Sequence, residues 1–345
     1  DISNHPRLVQ TGAFDALLLL SLSNDVGTCR CVAFALHRIA LKEENHKTLT
    51  SSAFVRAVVS LLYADDAVTN LRACLATKFI CTSFGSRRHF LEAGGVVPLL
   101  KCAKRFFVMA EAEAADEAGA ASASGEGQVD VEENANAGNG IGICRSFVPL
   151  EGIREVCAAL RNLSTSCAEA QVEIVKQNVD GVRFLVGQCR SSDDDTAHQA
   201  CATLANLSET PANRELMLRQ HGVLQHLKAA LQEADCADCS EGIRREAIRA
   251  IANLSSELQL APDIATAGVL VPLLEQLTSN DPRCRQYGAL AMSNLSSHEA
   301  NLERIVREGA VGPLLALVKR GLLRSSPCTA GEAEERASVT SSDDE

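Results

Sequence analysis

The sequence has no tryptophan, only two tyrosines, and just 3% aromatic residues over 345 positions. A chain so poor in rings offers few platforms for stacked bases, which argues against single-stranded RNA recognition. The same poverty argues against a sandwich or barrel, whose strands favour β-branched and aromatic side chains. No apolar run reaches the ~18 residues that a membrane span needs, and no signal peptide opens the chain. Catalytic motifs are also missing: there is no His-Glu-x-x-His, no P-loop and no Gly-x-Ser-x-Gly. The expectation is a protein that is not an enzyme and uses no cofactor or metal.

Excess charge is scarce once it is placed along the chain. The net charge is −11, yet residues 106–144 hold eight acidic side chains and no basic one, and residues 328–345 hold six against Arg336 alone. Those segments carry −8 and −5, which leaves the remainder at +2. Bulk charge therefore makes no case for nucleic-acid binding.

What the chain does have is aliphatic: 46% of residues are hydrophobic, a core mixture of Leu, Ala, Val and Ile that favours helix. Fourteen cysteines are a modest fraction at this length. Cys31, Cys74, Cys157 and Cys201 fall inside apolar helical patterns, where free thiols act as small buried hydrophobes, so a reducing compartment is expected. Asp1 falls inside a helical pattern, which predicts a fragment of a longer protein.

The informative feature is self-similarity. Ala158-Ala-Leu-Arg-Asn-Leu-Ser164, Ala202-Thr-Leu-Ala-Asn-Leu-Ser208, Arg249-Ala-Ile-Ala-Asn-Leu-Ser255 and Leu290-Ala-Met-Ser-Asn-Leu-Ser296 are copies of one segment, with Asn at 162, 206, 253 and 294. Two degenerate copies upstream, Phe34 to Ala40 and Cys74 to Ile80, put Arg38 and Lys78 at the Asn position. With the acidic stretch 106–144 set aside, the period is about 40–47 residues, the range of helical-repeat arrays. Ahead of each copy a short amphipathic segment runs into Gly12, Gly94, Gly222, Gly268 or Gly309, with Ser52 and Asn178 in the other two units. Such residues suit a helix C-cap that turns sharply into the next helix. Pro98, Pro272 and Pro313 then fall at the start of that next helix.

This pattern of turn glycine, leucine-rich middle helix and third-helix Asn resembles the armadillo repeat family over residues 1–325. The resemblance implies an all-α, right-handed superhelical solenoid with three helices per repeat, six repeats and a partial seventh. Composition predicts that residues 106–144 are an irregular acidic insertion between the second and third helices of repeat three, and that 328–345 are an acidic, serine-rich tail. In the family the third helices line a concave groove, and the repeated Asn contacts the backbone of an extended peptide. By that resemblance Asn162, Asn206, Asn253 and Asn294 are candidate partner contacts; the alternative is that each Asn ties one repeat to the next.

One turn before the Asn, nuclear-import adaptors of the family carry Trp. The matching positions here are Phe34, Cys74, Ala158, Ala202, Arg249 and Leu290, which removes Trp-mediated recognition of lysine. Arg30, Arg38, Lys78, Arg245 and Arg249 instead make the groove basic in places. The resulting expectation is a catenin-like or vacuolar-scaffold-like adaptor that binds an acidic segment, with Arg38, Lys78 and Arg249 added to the Asn ladder as site residues. The substrate-recognition array of a larger enzyme, such as a ubiquitin ligase or kinase, is the alternative, and an import adaptor a lesser one. The expected partner is a protein or peptide, with no nucleic acid and no membrane insertion. A cytoplasmic monomer is expected, with nuclear or peripheral membrane association only through regions outside this chain. The Asn-Leu-Ser copies match the glycosylation sequon, which reads as coincidence in mid-helix. Cys236 and Cys239 read as two loop thiols rather than half of a zinc site.

Overall fold

In the computed structural model, residues 13–41, 45, 51–123, 148–176, 179–219, 222–232 and 239–325 are described, and every regular element among them is helical. The helices group into units. Repeat one contributes α1 (Ala13–Ser21) and α2 (Val26–Ala40), and repeat two contributes α3 (Ser52–Leu62) and α4 (Ala67–Ile80). Repeat three is α5 (Phe84–Glu92), α6 (Val96–Ala123) and α7 (Val148–Ser164), and repeat four is α8 (Ala168–Lys176), α9 (Val179–Gln188) and α10 (Asp194–Glu209). Repeat five is α11 (Pro211–Arg219), α12 (Val223–Gln232) and α13 (Cys239–Ser255). Repeat six is α14 (Ala261–Thr266), α15 (Leu270–Gln276) and α16 (Pro282–Ser296), and α17 (Glu299–Arg307) and α18 (Val311–Ser325) close the array.

The turn glycines do what their chemistry suggests. Gly94, Gly222, Gly268 and Gly309 have φ between 63° and 87°. At Gly94 the amide donates to Leu91 O while Gly95 N donates to Phe90 O, and Gly309 with Ala310 repeats this pairing on Val306 and Ile305. Each pair ends a helix with two satisfied carbonyls and a sharp reversal, at a φ that a side chain would strain. Gly12 and Asn178 lie outside the described residues. The Ser52 position departs from the pattern: Ser51 caps the start of α3 by accepting from Phe54 N, and Ser52 is the helix's first residue.

Stacking supplies the core. The third helices α2, α4, α7, α10, α13 and α16 pack side by side in chain order. One apolar cluster runs without a break from Cys29 in α2 to Ala310 before α18. Leu163, Leu207, Leu254 and Leu295, each following a ladder Asn, are fully buried. Burial of such a leucine stabilises by roughly 1.5–3 kcal/mol. Nine of the ten cysteines whose side chains are described join this core; Cys31, expected there too, is exposed, because it stands on the outward side of α2. Cys74, Cys157 and Cys189 are buried with thiol pKa values pushed well up, chiefly by burial for Cys74 and Cys157 and by the Cys201 contact plus burial for Cys189. Burial likewise pushes Cys81 up to about 12. Such thiols are unreactive at neutral pH.

The first part of the stretch expected to be irregular, residues 106–123, is helical. Helix α6 continues unbroken to Ala123, because Phe106 is fully buried against α7 and the Ala- and Glu-rich sequence beyond it is made of strong helix formers. Gly152 of α7 lies against the Phe106 ring, where an added Cβ would meet Cγ at 2.5 Å. Residues 124–147 and the tail from 328 lie outside the described residues.

The two ends of the sixth and seventh units differ in cover. Leu270, Leu274 and Leu277 of repeat six are 2%, 5% and 1% exposed, whereas their counterparts Val311, Leu315 and Val318 are 54%, 55% and 57% exposed. Among the described residues no third helix follows α18, so its apolar stripe lacks the layer that covers repeat six.

Candidate functional site

The ladder face is built by the third helices, and their starts fix its register. Asp25, Asp66, Asp193 and Asp281 are the N-caps of α2, α4, α10 and α16. Asp25, Asp66 and Asp193 each accept from both the amide and the hydroxyl of a threonine three residues on, Thr28, Thr69 and Thr196. Thirteen residues after these caps stand Arg38, Phe79, Asn206 and Asn294. The ladder position of repeat two is therefore Phe79, and Lys78, expected there, sits one residue earlier. The hydrogen bonds agree. Asn206 donates to Arg161 O, Asn253 to Ala205 O and Asn294 to Ala252 O, each time the carbonyl just before the ladder residue of the preceding repeat. Asn162 donates to Lys78 O at 2.9 Å, which makes Phe79 its counterpart. By the same shift, Leu75 rather than Cys74 flanks the ladder.

The Asn-Leu-Ser triplet acts as a staple between repeats. Each Ser hydroxyl donates to the carbonyl three residues earlier on its own helix, for example Ser208 to Ala205 O at 2.7 Å. That oxygen then accepts from the Asn of the next repeat: Asn206 onto Ser164 at 3.1 Å, Asn253 onto Ser208 at 3.2 Å and Asn294 onto Ser255 at 3.3 Å. The intervening Leu fills the core. All three residues of the sequon-like triplet are thus used by packing. In repeat two Cys81 stands where the Ser would be, and among the described residues Asn162 makes the carbonyl bond alone. Every ladder Asn spends its Nδ2 on the stack, so the tie between repeats, one of the two alternatives read from the sequence, is the bond observed. Asn206 is also buried and its Oδ1 accepts from Arg249 at 2.8 Å.

The basic residues on this face divide into two groups. Arg30 pairs with Asp66 at 2.7 Å, Lys78 with Glu155 at 2.9 Å and Arg245 with Asp281 at 2.6 Å. Arg249 pairs with Glu209 at 2.6 Å and Glu246 at 2.7 Å. Burial works against ionisation of Asp66, but the bonds from Arg30 and Thr69 outweigh it and hold its carboxyl at about 2. Arg38 and Arg72 differ. Their guanidinium carbons lie 5.9 and 5.6 Å from the centroid of the same Phe34 ring, and neither has a carboxylate within ion-pair distance among the described residues. Arg72 Nε is buried with no hydrogen-bond partner, and its Nη1 is 3.5 Å from His37 Nδ1. Burial first, then Arg72, Arg38 and Lys78, lowers the His37 pKa to about 4, so the ring is neutral near pH 7.

Of the seven residues expected in the site, Asn206 and Arg249 meet directly, and Asn162 meets the backbone of Lys78. Asn253 and Asn294 lie on successive third helices, each bonded to the one before, and Arg38 stands at the far end beside Phe34. Arg72 and Phe79 were not anticipated; the Asp-x-x-Thr caps were the signal that would have set their register. Among the described residues no three His, Cys, Asp or Glu side chains come together as a metal site. Cys236 lies outside them.

No family model and no curated protein sequence matches this chain. Solved structures do. A designed armadillo repeat protein superposes with a TM-score of 0.59 at 17% identity, over 81% of this chain and 98% of its own. The protein has an armadillo-like repeat fold. A second designed armadillo repeat protein, in complex with the peptide (KR)4, gives a TM-score of 0.58 at 17% identity over 81% of this chain and 98% of its own. An engineered protein gives 0.68 at 24% identity, over 94% of this chain and 67% of its own. At these identities the likeness carries the armadillo-like architecture and leaves the groove chemistry to this chain's own residues.

Proposed function

We propose that the protein is a non-enzymatic binding scaffold that holds an extended segment of a partner protein along its third-helix face. The partner segment is acidic where it crosses repeats one and two. The observation that carries this reading is the unequal pairing of cations on that face: among the described residues, Arg245 and Arg249 are matched by carboxylates, while Arg38 and Arg72 are not. An armadillo-like structure in complex with a peptide supports a peptide-holding groove, although that peptide is (KR)4, of the opposite sign. The positions flanking the ladder here are Phe34, Leu75, Ala158, Ala202, Arg249 and Leu290, which supply no ring ladder for lysine and one arginine that would repel it. This favours a catenin-like over an import-adaptor-like ligand.

The test is site-specific photocrosslinking in cells, with a benzophenone amino acid at Phe34 or Leu290 on the ladder face and at Leu302 of α17 as the comparison. The expected result is one common protein adduct from the two ladder positions and none from Leu302. A shared adduct from Leu302 with none from the ladder would overturn the reading.

A further inference from the structure

We infer that Phe34, Arg38 and Arg72 form a subsite for a phosphorylated side chain of the bound partner segment. The inference rests on the groove reading above and sharpens it to one place and one chemical group.

Two guanidinium groups share one aromatic ring. Arg38 reaches Phe34 from one turn further along α2, and Arg72 reaches it from α4, with centroid distances of 5.9 and 5.6 Å. Phe34 is 37% exposed, so the ring forms part of the open face rather than the core. At these cation–π distances the ring takes up no N–H donor of either guanidinium, and Arg72 Nη1 is 3.5 Å from His37 Nδ1. Like charges gathered in this way repel unless an anion lies between them. Among the described residues no carboxylate pairs with either guanidinium, and those of Asp66 and Glu155 are engaged by Arg30 and Lys78. His37 adds no charge near pH 7, because burial and the surrounding Arg72, Arg38 and Lys78 lower its pKa to about 4.

The charge count selects the group. Two arginines present +2 at any accessible pH, and a carboxylate answers only half of that. A phosphorylated Ser, Thr or Tyr brings about −1.5 to −2 and three acceptor oxygens, which suits two planar donor forks. The place selects the carrier. Arg38 occupies a ladder position and Arg72 and Phe34 flank it, so the phosphate belongs to a chain lying across third helices rather than to a membrane surface.

The probes are degenerate peptide pools with a fixed central phosphoserine, phosphotyrosine, glutamate or serine, titrated against the full chain by fluorescence polarisation. A phosphorylated pool should bind on the order of tenfold tighter than the serine pool, with glutamate between them. Arg38→Gln and Arg72→Gln should each remove the preference, and Arg245→Gln should keep it. Arg38 is exposed, so its variant carries the test if Arg72→Gln folds poorly; Arg72→Lys should keep a weaker preference. Pools that bind without a phosphate preference, or with one that survives both arginine variants, overturn the subsite and leave the groove reading standing. A failure of every pool to bind overturns both. Arg38-dependent binding to phosphatidylcholine vesicles containing a phosphoinositide, with no discrimination among the peptide pools, also overturns the subsite.

Discussion

Repeats four to six and repeats one and two use the same third-helix position in opposite ways. In repeats four to six it holds Asn206, Asn253 and Asn294, each bonded to the carbonyl and serine of the helix before it, and the nearby cations are closed by acids of the chain. In repeats one and two it holds Arg38 and Phe79, and among the described residues no Asn–Ser staple forms there and no acid pairs with the guanidinium groups beside Phe34. Regular repeats thus spend their polar groups on stacking, and degenerate repeats are where polar groups remain for something else.

The largest effect should come from the stapled half. Leu207 is fully buried behind Asn206, so Leu207→Ala should cost about 2–5 kcal/mol. Denaturant melts followed by circular dichroism, fitted with a model that allows the repeats of a long array to unfold in more than one step, would measure it. A cost below 1 kcal/mol would mean that the stapled half is more loosely packed than its burial indicates.

Next is a pH effect in the unstapled half. The folded-state pKa of His37 lies near 4 against 6.5 for a free ring, so the unfolded chain takes up the proton first. The stability that depends on a neutral His37 is therefore fully present above pH 6.5 and is lost as the pH falls towards 4, a change on the order of 1–3 kcal/mol. Urea melts at pH 7, 5.5 and 4 should show this fall in the wild type and a smaller one in His37→Gln. Asp66 contributes only lower, as pH falls from 3.8 towards 2, so the two windows separate.

A smaller effect grades the staples themselves. Asn206 donates to a carbonyl and to hydroxyls and accepts from Arg249, whereas Asn162 has one bond. Asn206→Ala should cost roughly 1–3 kcal/mol and Asn162→Ala about 1 kcal/mol or less. If both variants keep the wild-type melting temperature and instead lose partner binding, the ladder belongs to the ligand and not to the stack.

The repeat and its period were legible because the buried leucines and the turn glycines have no freedom: a position that must fill the core or take φ near 70° admits few residues. The role of the Asn was not legible, because an amide matches a peptide backbone in a groove as well as it matches a neighbouring helix's carbonyl. The position of Ser164, Ser208 and Ser255 under the next Asn shows the bond to the stack. The one-residue shift in repeat two was missed because alignment on Lys78 paired charge with charge, when the cap at Asp66 and Thr69 sets the register. The reach of α6 to Ala123 was missed because low complexity was weighed above the helix propensity of Ala and Glu. Charge pairing across repeats, such as Lys78 with Glu155, spans 77 positions of sequence and carries no local signal.

The most direct test of the contrast compares two double variants by thermal melting, with no partner present. Arg245→Gln/Arg249→Gln removes cations that bond Asp281, Glu209, Glu246 and Asn206, and should lower the melting temperature by several degrees. Arg38→Gln/Arg72→Gln removes two cations that pair with no acid among the described residues, and should leave the melting temperature unchanged or slightly raised. Equal losses in the two variants, or a larger loss in the second, would contradict the division of the face into a self-paired half and an open one.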